Sequence, residues 1–238
     1  MIRQILITND DGIDAEGIYR LAVIAKQFGE VTVVAPDSQR SAASHHCLFS
    51  KVLTLKEYDM GIPGIKAYSL DGTPADCVRA GILGLKNIKF DIVLSGINNG
   101  YNIASDIQYS GTVGAALEAA FQGVNAIAVS QGSLENSDVI EHYLPSLLEE
   151  YMEKPLPNNQ VWNINFPICS LEECKGILRD ARLYSGDFYD DNMNIEPSGA
   201  GTWALTNNTR RKWDAKEGTD LYAMINNMIS VGTVTNLT

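Results

Sequence analysis

Cysteine is scarce in this chain and carries no pattern. Cys47, Cys77, Cys169 and Cys174 are the only four in 238 residues. None forms a Cys-x-x-Cys pair or accompanies a histidine-rich spacing, which argues against a zinc ribbon or a dithiol redox motif. Isolated cysteines of this kind act as small buried hydrophobes. No Gly-x-Ser-x-Gly elbow and no Cys–His spacing argues for covalent catalysis. Long apolar runs are also missing. None approaches the roughly 20 residues that span a bilayer, and Met1 to Thr8 lacks the charged-then-apolar profile of a signal peptide. The expectation is a cytoplasmic protein with no membrane partner. Basic residues are outnumbered, 18 against 29 acidic, for a net charge of -11. Such a surface repels nucleic-acid backbones, so duplex nucleic acid is not an expected partner. It repels free phosphate compounds as well, so any phosphate site here must supply its own local positive potential.

What the chain does have is alternation. Short β-branched runs (Ile2–Thr8, Val31–Ala35, Phe90–Leu94, Ala126–Ser130, Val161–Phe166) are separated by longer amphipathic stretches (Glu16–Phe28, Ala75–Leu85, Val113–Gln122, Val139–Met152). Strands alternating with helices predict βαβ crossovers and a mostly parallel sheet. The near-continuous apolar character of Ile5–Ile7 and Ile92–Leu94 fits strands covered on both faces. Helix starts are marked at Asp14, at Thr73-Pro74-Ala75-Asp76 and at Ser110-Gly111-Thr112. After about residue 180 the pattern breaks. Tyr184–Trp213 is rich in Asp, Asn, Gly and aromatics, and Leu221–Thr238 alternates loosely and reads as strand. The division expected is a Rossmann-like α/β three-layer core over 1–182 and a β-rich extension over 183–238 that packs on the core or on another subunit.

Four loops could carry chemistry. Thr8-Asn9-Asp10-Asp11-Gly12 follows the first strand directly. In open α/β sheets the ligand crevice lies beyond the carboxyl ends of the strands. Adjacent strand residues point to opposite faces, so Asp10 and Asp11 can face one ion only where the strand has ended. Paired carboxylates suit a hard cation such as Mg²⁺ or Mn²⁺. The same pentapeptide also reads as a solvated turn. Ala35–Ala42 follows the second strand and brings Arg40, Ser38 and Ser41 as phosphate or metal contacts, or as a polar turn. Ser95–Asn102 supplies Asn98 and Asn102, whose amide carbonyls are good hard-cation ligands that add no charge. Ser110, Gly111 and Thr112 open a helix, where free N–H groups and the dipole bind anions. The dipole contributes only about 0.3–1 kcal/mol when exposed, so on this acidic chain a metal ion must dominate. His45 and His46 follow Ser41 and could reach the site as proton carriers.

At these residues the chain resembles the SurE family of survival-protein nucleotidases. The matching stretches are Ile5–Ile13, Val34–Asp37 with Arg40-Ser41-Ala42, Gly72–Val78, Ser95–Asn98 with Gly100 and Asn102, and Ser110–Val113, in the family's order. Val161–Pro167 and Gly218–Thr235 echo later family segments more weakly. The resemblance implies a Rossmann-like core whose β-rich extension joins subunits into homodimers or homotetramers. It implies a nucleotidase, using one divalent metal ion per subunit (Mg²⁺ or Mn²⁺), that hydrolyses nucleoside 5′-monophosphates and also 3′-monophosphates through an activated water. The family's metal ligands carry over onto Asp10, Asp11, Ser41 and Asn98. Its phosphate-binding positions carry over onto Asn102, Ser110, Gly111 and Thr112, with Arg40 beside them. Asp10, Asp11 and Asn102 then stand at the reacting centre. Three departures are visible: Tyr109 where the family often has His, Ser44 where a Gly is usual, and Asn227 in place of a late Gly. On the residues alone, a phosphatase for other phosphomonoesters or short polyphosphate stays open, as does a non-catalytic nucleotide-binding oligomer. A dinucleotide-dependent oxidoreductase is disfavoured, because no glycine fingerprint follows the first strand.

Overall fold

The apolar runs of the sequence form the centre of one sheet in the computed structural model, which describes residues 2–135, 138–157, 159–186 and 188–236. The first half runs β1 (Gln4–Thr8), α1 (Glu16–Ala25), β2 (Glu30–Pro36), β3 (Leu55–Tyr58), β4 (Lys66–Leu70), α2 (Pro74–Arg79), β5 (Ile92–Asn99) and α3 (Gly111–Phe121). The second runs β6 (Asn125–Gln131), α4 (Asp138–Glu153), β7 (Gln160–Phe166), β8 (Ile177–Arg179), β9 (Tyr189–Asp190), β10 (Met193–Gly199), β11 (Thr202–Asn207), β12 (Arg210–Arg211), α5 (Asp220–Ile225) and β13 (Ile229–Thr235). The main sheet has the order β3-β4-β2-β1-β5-β6-β7-β13-β8. Pairing is parallel from β4 through β7, while β3 and β13 join antiparallel to β4 and β7.

Strand residues alternate faces, and the core divides accordingly. Ile5, Ile7, Val33, Leu94 and Val129 pack with Ile18 and Leu21 of α1 and with Leu144 and Leu148 of α4. Leu6, Val34, Val93 and Ala128 pack with Cys77 and Val78 of α2 and with Val113 and Ala116 of α3. The result is a three-layer α/β fold with a mostly parallel central sheet. Each aliphatic side chain buried this way stabilises by about 1.5–3 kcal/mol. No disulfide joins the four cysteines, and burial pushes the Cys77 thiol well above its usual range, which keeps it inert. No helix among the described residues is long and apolar enough to cross a membrane.

Several sequence expectations need correcting. Asp14 does not cap α1; Ala15 occupies that position with no side-chain cap, and Asp14 instead accepts a hydrogen bond from the Tyr58 hydroxyl. Thr73 caps α2 as expected, in a reciprocal box with Asp76, but the Ala75–Leu85 helix stops at Arg79 and continues as a π-helical turn over Ala80–Gly84. Strands β3 and β4 carry little apolar alternation and escaped the sequence reading; they form one edge of the sheet. The stretch Leu221–Thr238, read as strand, begins as α5, capped by Thr219, and only then becomes β13.

The segment 183–238 therefore contributes in two ways. Its end supplies β13, which lies between β7 and β8 of the main sheet. Its middle forms the small ribbons β10–β11 and β9–β12. Phe188, Leu221, Ala223 and Met224 pack on Ile103 and Ala104 in a third small core. Buried Asp220 fastens the two parts: its carboxylate accepts from the Ala104 N–H at 2.8 Å and from the Tyr184 N–H at 2.9 Å.

Candidate active site

The strand order creates one crevice. The chain leaves β1 towards β2 and β4 on one side, then returns to β5 on the other. At such a switch point the loops beyond the carboxyl ends of the strands diverge and leave room for a ligand. Asp10 and Asp11 follow β1, Asn98 lies at the end of β5, and Ser110 caps α3.

Asp10 is almost fully buried, at 4% exposure. Its Oδ1 accepts from the Thr112 hydroxyl at 2.6 Å, and its backbone carbonyl accepts from the Arg40 N–H at 2.7 Å. Gly111 permits this approach: a Cβ there would stand 2.9 Å from the Asp10 Cβ and 3.0 Å from its Oδ2. Asp11 follows on the same loop, and its Oδ2 accepts from the Asn99 N–H at 3.2 Å. Burial pushes the Asp10 carboxyl up to about 6; the Thr112 bond opposes the shift and the neighbouring Asp11 charge adds to it. The Asp11 charge thus lies close enough to disfavour ionisation of Asp10.

A hard dication fits this arrangement. Among the described residues no group of three or more His, Cys, Asp or Glu could hold a metal, so a site here would combine two carboxylates with neutral oxygens. Asn98 supplies such an oxygen: its Nδ2 donates to the Gly100 carbonyl at 2.9 Å, which fixes the amide and leaves its carbonyl end as the donor. Ser41 is exposed on the loop after Arg40. The Arg40 guanidinium donates to Asp37 at 3.2 Å, and its buried Nε has no hydrogen-bond partner among the described residues.

The Ser41 loop is tied to α3 by several contacts. The Ser44 N–H donates to the Tyr109 carbonyl at 3.0 Å, and the Ser44 hydroxyl donates to the Gln108 carbonyl at 2.8 Å. A Cβ at Gly114 would lie 2.2 Å from the Ser44 carbonyl oxygen, so only glycine allows the contact. His45 Nε2 meets the buried Glu118 carboxylate at 2.7 Å, and Arg79 reaches the same carboxylate at 3.0 Å. Leu48 N–H donates to Asp76 at 3.1 Å. His45 is therefore engaged with Glu118, further along the helix face on which Gly111 meets Asp10 and Gly114 meets the Ser44–His45 backbone.

Of the residues singled out from sequence, Asp10, Arg40, Gly111 and Thr112 meet in direct contact, with Ser110 capping the helix through the Val113 N–H at 3.0 Å. Asp11 and Asn98 adjoin through Asn99. Asn102 lies in a buried amide network instead. Its Nδ2 donates to the Ser130 hydroxyl at 2.8 Å, and its backbone carbonyl accepts from Asn163 at 2.9 Å and Asn165 at 3.0 Å. Sequence reading missed Glu118 and Arg79. The signal was present: Glu118 is the one acid in a helix otherwise built of small and apolar residues, GTVGAALEAAF.

A family model described as Survival protein SurE matches residues 5–185. A protein of Clostridium botulinum (strain Kyoto / Type A2), called 5′-nucleotidase SurE, is 39% identical over 234 residues, 95% of this chain and 90% of that protein. Another 5′-nucleotidase SurE, from Thermoanaerobacter sp. (strain X514), is 46% identical over 168 residues, 69% of this chain and 66% of that protein. Among solved structures, the SurE protein from Aquifex aeolicus superposes with a TM-score of 0.84 at 33% identity, covering 99% of this chain and 94% of that one. The motifs that converge on Asp10 thus lie inside a match spanning most of the chain, and the chain belongs to the SurE family.

Proposed function

We propose that this chain is a divalent-metal-dependent 5′-nucleotidase that hydrolyses nucleoside monophosphates to nucleoside and phosphate. One observation carries the reading: a buried carboxylate, Asp10, pressed against the open N-terminus of α3. That contact sets a cation-binding group directly beside an anion-binding one. Asp10, Asp11, Ser41 and Asn98 would hold Mg²⁺ or Mn²⁺. A bound dication there would acidify a water and screen the phosphoryl oxygens.

The chain's own groups do the rest. The first N–H groups of α3, at Gly111 and Thr112, point out of the helix and bind phosphate oxygens. The Ser110 hydroxyl accepts from Val113 as a cap, so its own proton is free to donate to phosphate. The Thr112 hydroxyl proton is directed at Asp10, so Thr112 serves phosphate through its backbone and holds the carboxylate in place. Arg40, whose backbone N–H holds the Asp10 carbonyl, adds a cation to the same loop cluster. Together these supply the local positive potential that a chain of charge -11 otherwise lacks. The Asn102 network fixes the loop that carries Asn98.

The protein works as a homodimer or homotetramer assembled through 183–238, in the cytoplasm, where its four cysteines stay without disulfides. Support for assembly is the β10–β11 ribbon. Ile195 pairs with Leu205 and Pro197 with Trp203, so that with Met193 one face is apolar along its length, and all five are exposed. The test is phosphate release from AMP, GMP and UMP with Mg²⁺, Mn²⁺ or EDTA in parallel, alongside the Asp10→Asn variant. Release in the presence of either ion, lost with EDTA and in the variant, is the expected result. Equal release with EDTA, or full activity without the Asp10 carboxylate, would end the proposal.

A further inference from the structure

A cavity of about 460 Å³ opens on the loop that follows Asn98, and the proposed catalytic groups do not line it. Its walls are Tyr101, Ile168, Trp213, Met224 and Ile225. Ile168, Trp213 and Ile225 leave about half of their surfaces in solvent, an unusual concentration of uncovered apolar area. Such area marks a ligand groove or an interface. The volume falls within the roughly 300–1,000 Å³ of small-molecule clefts.

The cavity's position identifies the occupant. Gly100 lines it, two residues beyond Asn98 and two before Asn102. Consecutive Cα atoms are about 3.8 Å apart, so the cavity wall begins within roughly 8 Å of the Asn98 backbone. A ribose spans a gap of this size between a phosphate held near Asn98 and a base. The walls are also preformed. The Tyr101 hydroxyl accepts from the Ile168 N–H at 3.0 Å. Its ring lies over Gly132, where a Cβ would stand 2.3 Å from the ring carbon bearing the hydroxyl. Trp213 meets Phe188 edge-on, with centroids 6.2 Å apart. Arg211, at the rim, is held by Asp106 at 3.0 Å.

We infer that this cavity is the nucleobase subsite, with the base lying against Tyr101 and Trp213 while its phosphate sits at the N-terminus of α3. The inference rests on the nucleotidase reading and deepens it. The subsite binds the faces of the base rather than reading its edge. The Gly100 N–H donates to the Gln131 carbonyl at 2.7 Å and the Gly132 N–H to the Phe166 carbonyl at 3.4 Å, so the backbone donors nearest the cavity are already used. Stacking is tolerant of base identity because every base presents a π-face. Purines therefore bind better than pyrimidines by their larger face, and AMP and GMP are handled alike.

The test compares wild type with Trp213→Ala and Trp213→Phe on AMP and on ribose 5-phosphate, which keeps the phosphate and lacks the base. Base-on-aromatic stacking is worth a factor of roughly ten or more, so Trp213→Ala should raise KM for AMP about ten-fold and leave ribose 5-phosphate unchanged. Trp213→Phe should restore AMP to within about two-fold, since it keeps an aromatic face. A second arm needs no turnover: adenosine should quench the tryptophan emission of wild type, and this quench should vanish in Trp213→Phe, which retains Trp162 and Trp203. An unchanged KM for AMP, an equal loss on both substrates, or the same quench in Trp213→Phe would overturn the subsite. Wild type that hydrolyses neither compound yet shows the Trp213-dependent quench would instead sink the nucleotidase reading and leave the subsite standing.

Discussion

Removing the Glu118 carboxylate should destabilise the protein and loosen the Ser41 loop together. Glu118 is buried in α3 and accepts three hydrogen bonds: from His45 Nε2 at 2.7 Å, Arg79 Nη1 at 3.0 Å and Gln122 Nε2 at 2.7 Å. Breaking a buried ion pair costs about 3–5 kcal/mol when the surviving charge stays buried. Here the survivors are about one-third exposed, His45 at 33% and Arg79 at 29%, so both can regain water. A Glu118→Ala loss of about 2–4 kcal/mol follows, and Glu118→Gln, which keeps the volume and one acceptor, should lose about 1–2 kcal/mol. With a urea slope of about 3 kcal/mol/M for a chain of this size, the Glu118→Ala midpoint falls by roughly 1 M at fixed protein concentration. The pH dependence is a sharper check. Burial raises the Glu118 carboxyl, but bonds from His45, Gln122 and Arg79 outweigh that and hold it below its ordinary 4.5. A carboxylate whose folded value is depressed stabilises above its unfolded value, and that stability is lost as pH falls through the folded one. The gap between wild type and Glu118→Gln should therefore be widest near neutrality and close as pH drops below about 4.5. An unchanged midpoint for Glu118→Ala, or a gap that widens in acid, would refute the account of the clamp.

Two further substitutions separate stability from activity. Gly111→Ala adds a methyl 2.9 Å from the Asp10 Cβ at a position where the helix itself would accept it. Thermal unfolding should change little, because Ala gains up to about 1 kcal/mol of helix propensity over Gly. Nucleotidase turnover should fall by a factor of about 10–100 as Asp10 is displaced; an active Gly111→Ala enzyme would contradict the contact. Asn227→Gly should do the reverse, because Asn227 holds a left-handed φ of +55° between α5 and β13, a strand four places along the sheet from β1. Relief of that strain should add about 0.5–1 kcal/mol and raise the melting temperature by roughly 1–4 °C with turnover unchanged. A lower melting temperature would refute the strain assigned to Asn227.

The parallel core was legible because its strands are buried on both faces. Runs such as Ile5-Leu6-Ile7 need no tertiary knowledge to be read as central strands. The edge was not: Leu55-Lys56-Glu57-Tyr58 pairs only with β4 and is mostly exposed, so no apolar period marks it. Asp220–Ile225 was misread because one and a half turns of helix show too little period to separate from strand alternation. In the site, local chemistry named Asp10, Arg40, Gly111 and Thr112, which do meet. What sequence could not give was the distance between His45 and Glu118, 73 residues apart, and so a histidine beside a serine looked free for proton transfer.

The departures at Ser44 and Asn227 show the same boundary from the other side. Both stand where the resembled family has glycine, and both take left-handed backbone, with φ of +52° and +55°. A missing glycine in sequence looked like a change of packing or preference. In the structure each non-glycine residue carries conformational strain of about 1 kcal/mol. At Ser44 a compensation is visible, since its hydroxyl bonds the Gln108 carbonyl at 2.8 Å, which glycine could not do. That bond fastens the Ser41 loop to the start of α3. Strain at Ser44 is thus the local cost of bringing a loop from the end of β2 onto the helix terminus beside Asp10. The proposed phosphate site needs that convergence, because the surface of this acidic chain offers an anion nothing.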